Sequence, residues 1–350
     1  MKERTHPTSP AFRLQRRQTK GASLLIVAAI IAVMVGIAAI ALDAGLLATN
    51  ANRLQRGCDA GALAGAAKLE FIRSNFVITG NSSTSSTVTV SSASQTAAKN
   101  DAVLVAGFNG VTALTNQVTF PTIYKVSVSV PESSALFFAR IFGIQSSTIT
   151  RKATAEKKPV AGIGGAAPLG LTVDDYNNYR PGAGSTQGPS ITLDLIVNQS
   201  DDFTPGDIIA LSLDNSPSKS VAAFQDEVTN GYTPIVDVGQ TVNSLNGTTS
   251  VQNATYEALT TRMQQGRTIF PVTIIPPKAQ TNGTSYFVGN LTFIELLNVS
   301  AASPGRNGHP ARISLRFVTV PGVDLSKYPV DLSDTSNISD IYVLRLVDDL

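Results

Sequence analysis

Few residues of this chain are of the kinds that do chemistry. Cys58 is its single cysteine, and the two histidines, His6 and His309, lie far apart. A lone cysteine forms no internal disulfide, and two distant histidines make no histidine-rich metal site. A serine or cysteine hydrolase needs a nucleophile beside a base. His309 sits in the turn-like PGRNGHP, so it reads as an exposed turn residue and no triad is expected. Paired acids at Asp174 and Asp175, Asp201 and Asp202, and Asp348 and Asp349 offer oxygens of the kind that hold calcium. None has the Asp-x-Asp-x-Asp-Gly spacing of a dedicated loop, and adjacent side chains on a strand point to opposite faces. They read as solvated turns or strand ends, with DDFTPGD, 201–207, as the remaining calcium candidate. The close glycines of GIGGAAPLG, 162–170, lack the strand, helix and acidic partner of a phosphate loop. No catalytic, cofactor-binding or metal-ligating residue is assigned.

Composition narrows the classes further. Lys and Arg number 27 against 25 Asp and Glu, a net charge of +2, which gives no general basic surface for nucleic acid. Charged residues make up only 15% of the chain, and Gly, Ser, Thr and Asn are plentiful, as in β-rich domains with many turns. Asn-x-Ser/Thr triplets at Asn81, Asn198, Asn246, Asn253, Asn282, Asn290, Asn298 and Asn337 are what so much Asn, Ser and Thr yields by chance.

The strongest single feature is GASLLIVAAIIAVMVGIAAIAL, residues 21–42, which carries no charge. At ~1.5 Å per residue it covers a hydrocarbon core of ~30 Å. Lys2, Arg4, Arg13, Arg16, Arg17 and Lys20 precede it against one acid, Glu3, while only Arg53 and Arg56 follow closely. The positive-inside bias puts the N-terminus in the cytoplasm and everything after Asp43 outside. A cleaved signal peptide would have a shorter apolar core. Arg16 and Arg17 are not followed by the apolar residues of a twin-arginine signal, and Arg56 ahead of Cys58 does not fit a lipid-attachment site.

Nothing interrupts a helical pattern beyond the apolar run. No proline occurs between Phe12 and Pro121, and Leu47, Ala51, Leu54, Cys58, Ala62, Gly65, Leu69, Ile72 and Phe76 trace one helix face. A helix from about residue 22 to about 73 would be ~78 Å long at ~1.5 Å per residue, far longer than the membrane is thick. Glycine recurs at Gly57, Gly61 and Gly65. Each weakens an isolated helix by up to ~1 kcal/mol relative to alanine, so the repeat needs a reason. Together with Cys58 and Ala62 these glycines form a narrow side that lets another backbone approach, either the chain's own outer domain or a partner helix. Cys58 within it reads as a small buried apolar residue.

The order of these features resembles a known family. RRQTKGA, a membrane helix ending in ALDAG, and LQRGCDAGALAGAAKL together resemble the N-terminal segment of TadE/TadG-like proteins of the bacterial Flp, or tight-adherence, pilus system. The family's aspartate just after the membrane helix is matched by Asp43. Its Gln-x-x-x-Asp-Ala run is matched by Gln55 and Asp59, followed by Ala60, Ala62, Leu63, Ala64, Gly65 and Ala66, with Gly61 in place of a more usual alanine. The resemblance implies a single-pass envelope protein of pilus assembly or surface attachment, with pilus or secretion-apparatus proteins as partners and no catalytic residues. Pilin-like members are cut after a glycine and carry a glutamate five residues further on. Ile26 stands there relative to Gly21, which favours a permanently anchored chain.

The rest of the chain reads as α+β. A Ser/Thr-rich stretch, 79–96, gives a loop with a strand at 87–90, and a helix follows over 95–107. Alternating Val126, Val128 and Val130 make a strand expected to stop at Pro131. SSALFFARIFG reads as a one-sided apolar helix capped by Ser133 or Ser134, followed by a strand over 146–155. Beyond 169, strands are expected at 191–197, 208–213, 235–238, 269–275, 286–297, 313–320 and 341–347, with helices at 221–229 and 251–265. They suggest a sandwich-like or open mixed sheet. The domain order is then a cytoplasmic segment 1–20, a membrane helix 21–42, its outer continuation 43–75, a small α+β unit 76–157, a linker 158–168 and a β-rich domain 169–350. The expectation is a non-enzymatic inner-membrane component of a pilus or adhesion apparatus that touches lipid and other proteins and is able to oligomerise. A tethered hydrolase or carbohydrate-binding domain and a calcium-binding adhesin are the alternatives.

Overall fold

The computed structural model describes residues 20–73, 77–79, 82–84, 88–182, 185–196, 203–216, 219–245, 249–277, 284–301, 311–320, 326–332 and 339–347. His6, His309, Asp201, Asp202, Asp348, Asp349 and the basic residues ahead of Lys20 lie outside them. The fold is α+β, a long N-terminal apolar helix followed by a strand-rich region with helices interspersed. The chain divides into two compact units, Met1–Arg53 with Pro131–Thr150, and Leu54–Val130 with Arg151–Leu350.

Helix α1 runs from Lys20 to Lys68, ending five residues before the expected 73. Short strands β1 (Phe71–Arg73), β2 (Val77–Thr79), β3 (Ser82–Thr84) and β4 (Val88–Val90) form the pairs β1 with β4 and β2 with β3. Helix α2, Ser92–Phe108, begins where the Ser91 hydroxyl accepts the Ser94 N–H. Strands β5 (Val118–Thr122), β6 (Lys125–Ala135) and β7 (Ser146–Pro159) follow. Strand β6 does not stop at Pro131 as expected. Its pairing with β5 reaches only Val128, so Pro131 lies where β5 offers no ladder to interrupt. Nor is SSALFFARIFG a helix. Ser133 and Ser134 stay in β6, and only a short 3-10 turn, Ala139–Phe142, forms before β7.

The expected linker is a second correction. Residues 159–164 and 166–168 are buried, and β8 (Gly162–Ile163) pairs with two later strands. Val160 and Ile163 are fully excluded from solvent, and a Cβ on Gly164 would sit 2.8 Å from the Thr233 carbonyl. The small residues here admit neighbouring backbone; they do not confer slack.

The chain continues through β9 (Leu169–Thr172), α3 (Val173–Tyr179), β10 (Gln187–Ile196), β11 (Asp207–Ser212), α4 (Val221–Asn230), β12 (Val236–Asp237), β13 (Thr241–Ser244), α5 (Thr249–Gln264) and β14 (Ile269–Ile275). It ends with β15 (Ser285–Phe287), β16 (Asn290–Ser300), β17 (Arg312–Val318), β18 (Val330–Asp331) and β19 (Tyr342–Val347). The expected strand 286–297 is two strands, because the backbone at Val288 and Gly289 switches partner: β15 pairs with β13 and β16 with β14.

The large sheet has the order β10-β17-β16-β14-β9-β11-β13-β15, and β10 also pairs in parallel with β11. The sheet is mixed, as expected, with parallel pairs β10–β11 and β9–β14 among antiparallel ones, but β10, β17, β16, β14, β9 and β11 close on themselves, so it is not open. All six send side chains into one core, including Leu193, Leu315, Ile294, Val272, Leu171 and Ile208, joined by Phe224 of α4 and Leu259 of α5. A second core takes Ile209 and Leu211 from the other face of β11, with Val160, Ile163 and Val236 from β12 and the β7–β8 segment. With both faces buried, β11 reads as a continuous apolar run. Strand β19 leaves this sheet and pairs antiparallel with β7, so the last described strand completes the sheet β19-β7-β6-β5. The expected boundary at 169 does not divide the chain.

Candidate functional site

The residues singled out from sequence fall along α1, and each unit holds its share. In the second unit, Gly57, Cys58, Gly61, Ala62 and Gly65 are all buried. What covers the glycines is the chain's own α2, whose Ala98, Ala102 and Ala106 are fully excluded from solvent. A Cβ on Gly61 would lie 2.8 Å from the Ala102 carbonyl oxygen, and one on Gly65 would lie 3.1 Å from the Ala98 carbonyl oxygen and 3.0 Å from Val126. On Gly57 it would run into Val111. The contacts pair rising numbers on α1 with falling numbers on α2, so the helices are antiparallel, a glycine row against an alanine row. Every fourth residue falls on nearly the same helix face, and with no side chain at those positions the two backbones come together.

Cys58 turns toward the sheet. Its thiol lies 3.4 Å from the Arg151 carbonyl, and burial pushes its pKa up, away from the thiolate that reactivity requires. Gln55 donates to Asp59 at 2.8 Å, one turn on, and to the Lys152 carbonyl at 3.3 Å. The pair therefore ties the helix to β7. The helix C-terminus is met by Lys157, buried on β7, which donates to the Leu69 carbonyl at 2.5 Å and the Ala67 carbonyl at 3.2 Å. A cation at the carbonyl end of a helix satisfies orphan acceptors and opposes the negative end of its dipole. Its ammonium also lies 5.5 Å from the Phe71 ring and 5.4 Å from the Tyr342 ring. Burial lowers its pKa to about 8 despite the opposing charge of Glu70.

In the first unit, Asp43 has a different task. Its carboxylate accepts the backbone N–H groups of Phe137 at 2.9 Å, Phe138 at 3.1 Å and Ala139 at 2.8 Å, the entry to the 3-10 turn. Burial alone would raise its pKa, but the three donors outweigh it and hold the carboxyl below its ordinary range. Further along the same helix, Asn50 donates to the Ser134 hydroxyl at 2.8 Å and Arg53 forms an ion pair with Glu132. These contacts hold the β6–β7 hairpin to α1, and they explain why Ser134 caps no helix of its own. Sequence reasoning missed the hairpin tip because FFARIFG has the look of a core segment; the polar residues of α1 that fix it lie some ninety positions earlier.

Toward the N-terminus, α1 presents apolar side chains on all sides. Its most apolar window has a mean hydropathy of 3.1 with 6% of it buried, so by length and composition this helix can cross a membrane. Leu24, Ile30, Met34 and Leu42 are each more than half exposed to solvent. Taking such a side chain out of water is worth ~1.5–3 kcal/mol, so an uncovered row calls for an apolar surrounding.

Among the described residues no group of three His, Cys, Asp or Glu is placed to hold a metal ion. Asp175 accepts from the Thr172 hydroxyl at 2.7 Å and from the Gly206 N–H at 3.0 Å, as part of the α3 cap, while Asp174 is exposed. The Asp207 carboxylate accepts from the N–H and hydroxyl of Thr204 within its own turn. No protein-family model, curated protein or solved structure matches this chain.

Proposed function

We propose that the protein is a single-pass, non-enzymatic component of a bacterial Tad/Flp-type pilus assembly or surface-adhesion apparatus, acting through protein contacts. The observation that carries this reading is the uncovered apolar first part of α1, which a membrane would surround. The excess of Lys and Arg ahead of it favours a cytoplasmic N-terminus in the inner membrane. The resemblance of Asp43, Gln55, Asp59 and the Gly/Ala run to TadE/TadG-like proteins supports the pilus context. Since the glycine side of the helix is occupied by α2, other faces of the outer region are left for partners.

Two measurements test this reading. Alkaline extraction should leave the full-length chain in the membrane pellet, and protease added outside spheroplasts should digest the region after Asp43. Deleting the gene should abolish pili or attachment and the intact chain should restore them. A freely soluble product lacking the apolar segment would overturn the anchor. Normal piliation and adhesion without the gene would overturn the role.

A further inference from the structure

The tip of the β6–β7 hairpin carries an apolar surface that the fold does not use. Phe137 is 70% exposed, Ile141 80%, Phe142 74% and Ile144 54%. So many large apolar side chains within eight residues form a patch of the kind that marks a membrane or protein contact. The tip's place along α1 selects between these. Its backbone is bonded to Asp43, the residue directly after the charge-free stretch 21–42. Ala39, one turn earlier on the same helix face, is buried, while its neighbours Ile40 and Leu42 are 61% and 63% exposed. The covered face thus reaches one turn into the stretch that would lie in lipid, and the exposed tip adjoins exposed aliphatic side chains of that stretch.

We propose that the hairpin tip is a second membrane contact, with Phe137, Ile141, Phe142 and Ile144 set into the outer headgroup and acyl boundary beside the helix. The proposal rests on the reading of 21–42 as a membrane span. Such boundaries take up apolar groups ~5–10 Å deep, and a tip held level with the first residue beyond the span is within that depth. Arg140, exposed among these residues, meets lipid phosphate while its stem lies along the apolar surface. Gly143, at φ +83°, closes the turn, returning the chain to β7 after the apolar residues have been presented. Asp43 acts as a positioning residue that sets the depth of the tip.

The chain contains no tryptophan, so single-tryptophan reporters are unambiguous. Full-length Phe142→Trp and Ile31→Trp variants would be placed in nanodiscs of phosphatidylcholine and phosphatidylglycerol with brominated acyl chains, and iodide added as the aqueous quencher. Residue 142 should emit at shorter wavelength than free indole, lose intensity to bromines near the carboxyl end of the chains, and be shielded from iodide. Residue 31 should be quenched by bromines deep in the chains. Quenching of residue 31 by lipid with residue 142 quenched by iodide alone would overturn the proposal while leaving the anchor standing. Quenching of residue 142 by neither agent would overturn it too, since protein would then cover the tip. A residue 31 untouched by lipid bromines would overturn the membrane span, and the tip contact with it.

Discussion

Helix α1 is one continuous helix with two unlike ends. From Leu24 to Leu42 it is built of Leu, Ile, Val, Met and Ala, with a single Gly, and almost nothing in the chain covers it. From Leu54 to Lys68 a row of glycines is buried under α2, while Leu54, Cys58, Ala62 and Ala66 are buried as well. Hydropathy already separates the two stretches, since residues 21–42 carry no charge whereas Arg56, Asp59 and Lys68 fall in the second. Shape separates them as well, because a row of absent side chains admits another backbone at close range. Glycine costs the helix stability in isolation and recovers it where the Ala98, Ala102 and Ala106 row lies alongside.

The largest test of this contrast is Gly61→Leu. The Ala102 carbonyl stands 2.8 Å from where a Cβ would begin, so the helix pair must part, with an expected loss of up to ~3 kcal/mol in denaturant unfolding of the full chain. An unchanged midpoint would mean that the glycine row is not a packing surface. Membrane insertion should be untouched, because the substitution lies outside the uncovered apolar stretch.

Of similar size is the pH response of Lys157, which closes the buried end of the helix. The unfolded chain holds this proton up to 10.5, whereas the folded chain releases it near 8. The unfolded state therefore binds more protons between those values, and stability should rise with pH across that window. The full shift corresponds to about 3 kcal/mol. Tyr286, pushed up to about 12 by burial, acts oppositely above pH 10, so the rise is read most clearly from pH 8 to 10. Lys157→Met should flatten it.

Gly45→Ala gives the opposite sign at smaller size. Nothing lies within 4 Å of a Cβ at Gly45, so the methyl should add only helix propensity, up to ~1 kcal/mol, whereas Gly61→Ala should destabilise. Equal effects at the two sites would mean that Gly61 is not held against a neighbouring backbone.

The smallest global effect is expected from Asp43→Ala, which should leave the unfolding midpoint nearly unchanged. It should speed amide exchange at Phe137, Phe138 and Ala139. In the native chain their protection should persist below the ordinary carboxylate pKa of 3.8 and be lost as pH falls through the lower folded value. Protection that survives the substitution would remove Asp43 as the group holding the tip.

The sequence was most legible where a periodic pattern ran long. The strand over Ile269–Ile275, α4 and α5 sit within a residue or two of their expected bounds, and α1 starts two residues before its expected start and ends five before its expected end. The glycine row was legible as an interface, but not which surface filled it, since α2 is a modest alanine helix whose target is set by the tertiary fold. Strand β9 was missed because LGLT is buried on both faces and shows no alternation. Helix α3 was missed although Thr172 and Asp175 spell a cap, because seven residues are too few to show a period. SSALFFARIFG went wrong for the opposite reason. Its apolar residues have helical spacing, but Asp43 and Asn50 engage the backbone and a hydroxyl of the segment, and Phe137, Ile141 and Phe142 are left outward.

The pairing of β19 with β7 orders events in time. Thr154 meets Val347 across a separation of nearly two hundred residues, so an edge of the small sheet stays bare until Tyr342–Val347 has been made. A naked edge strand invites other chains to add to it. A nascent molecule stalled before Tyr342 would thus emerge with its helix already in place and an open seam beside it, at the stage when chaperone binding or self-association would decide its fate.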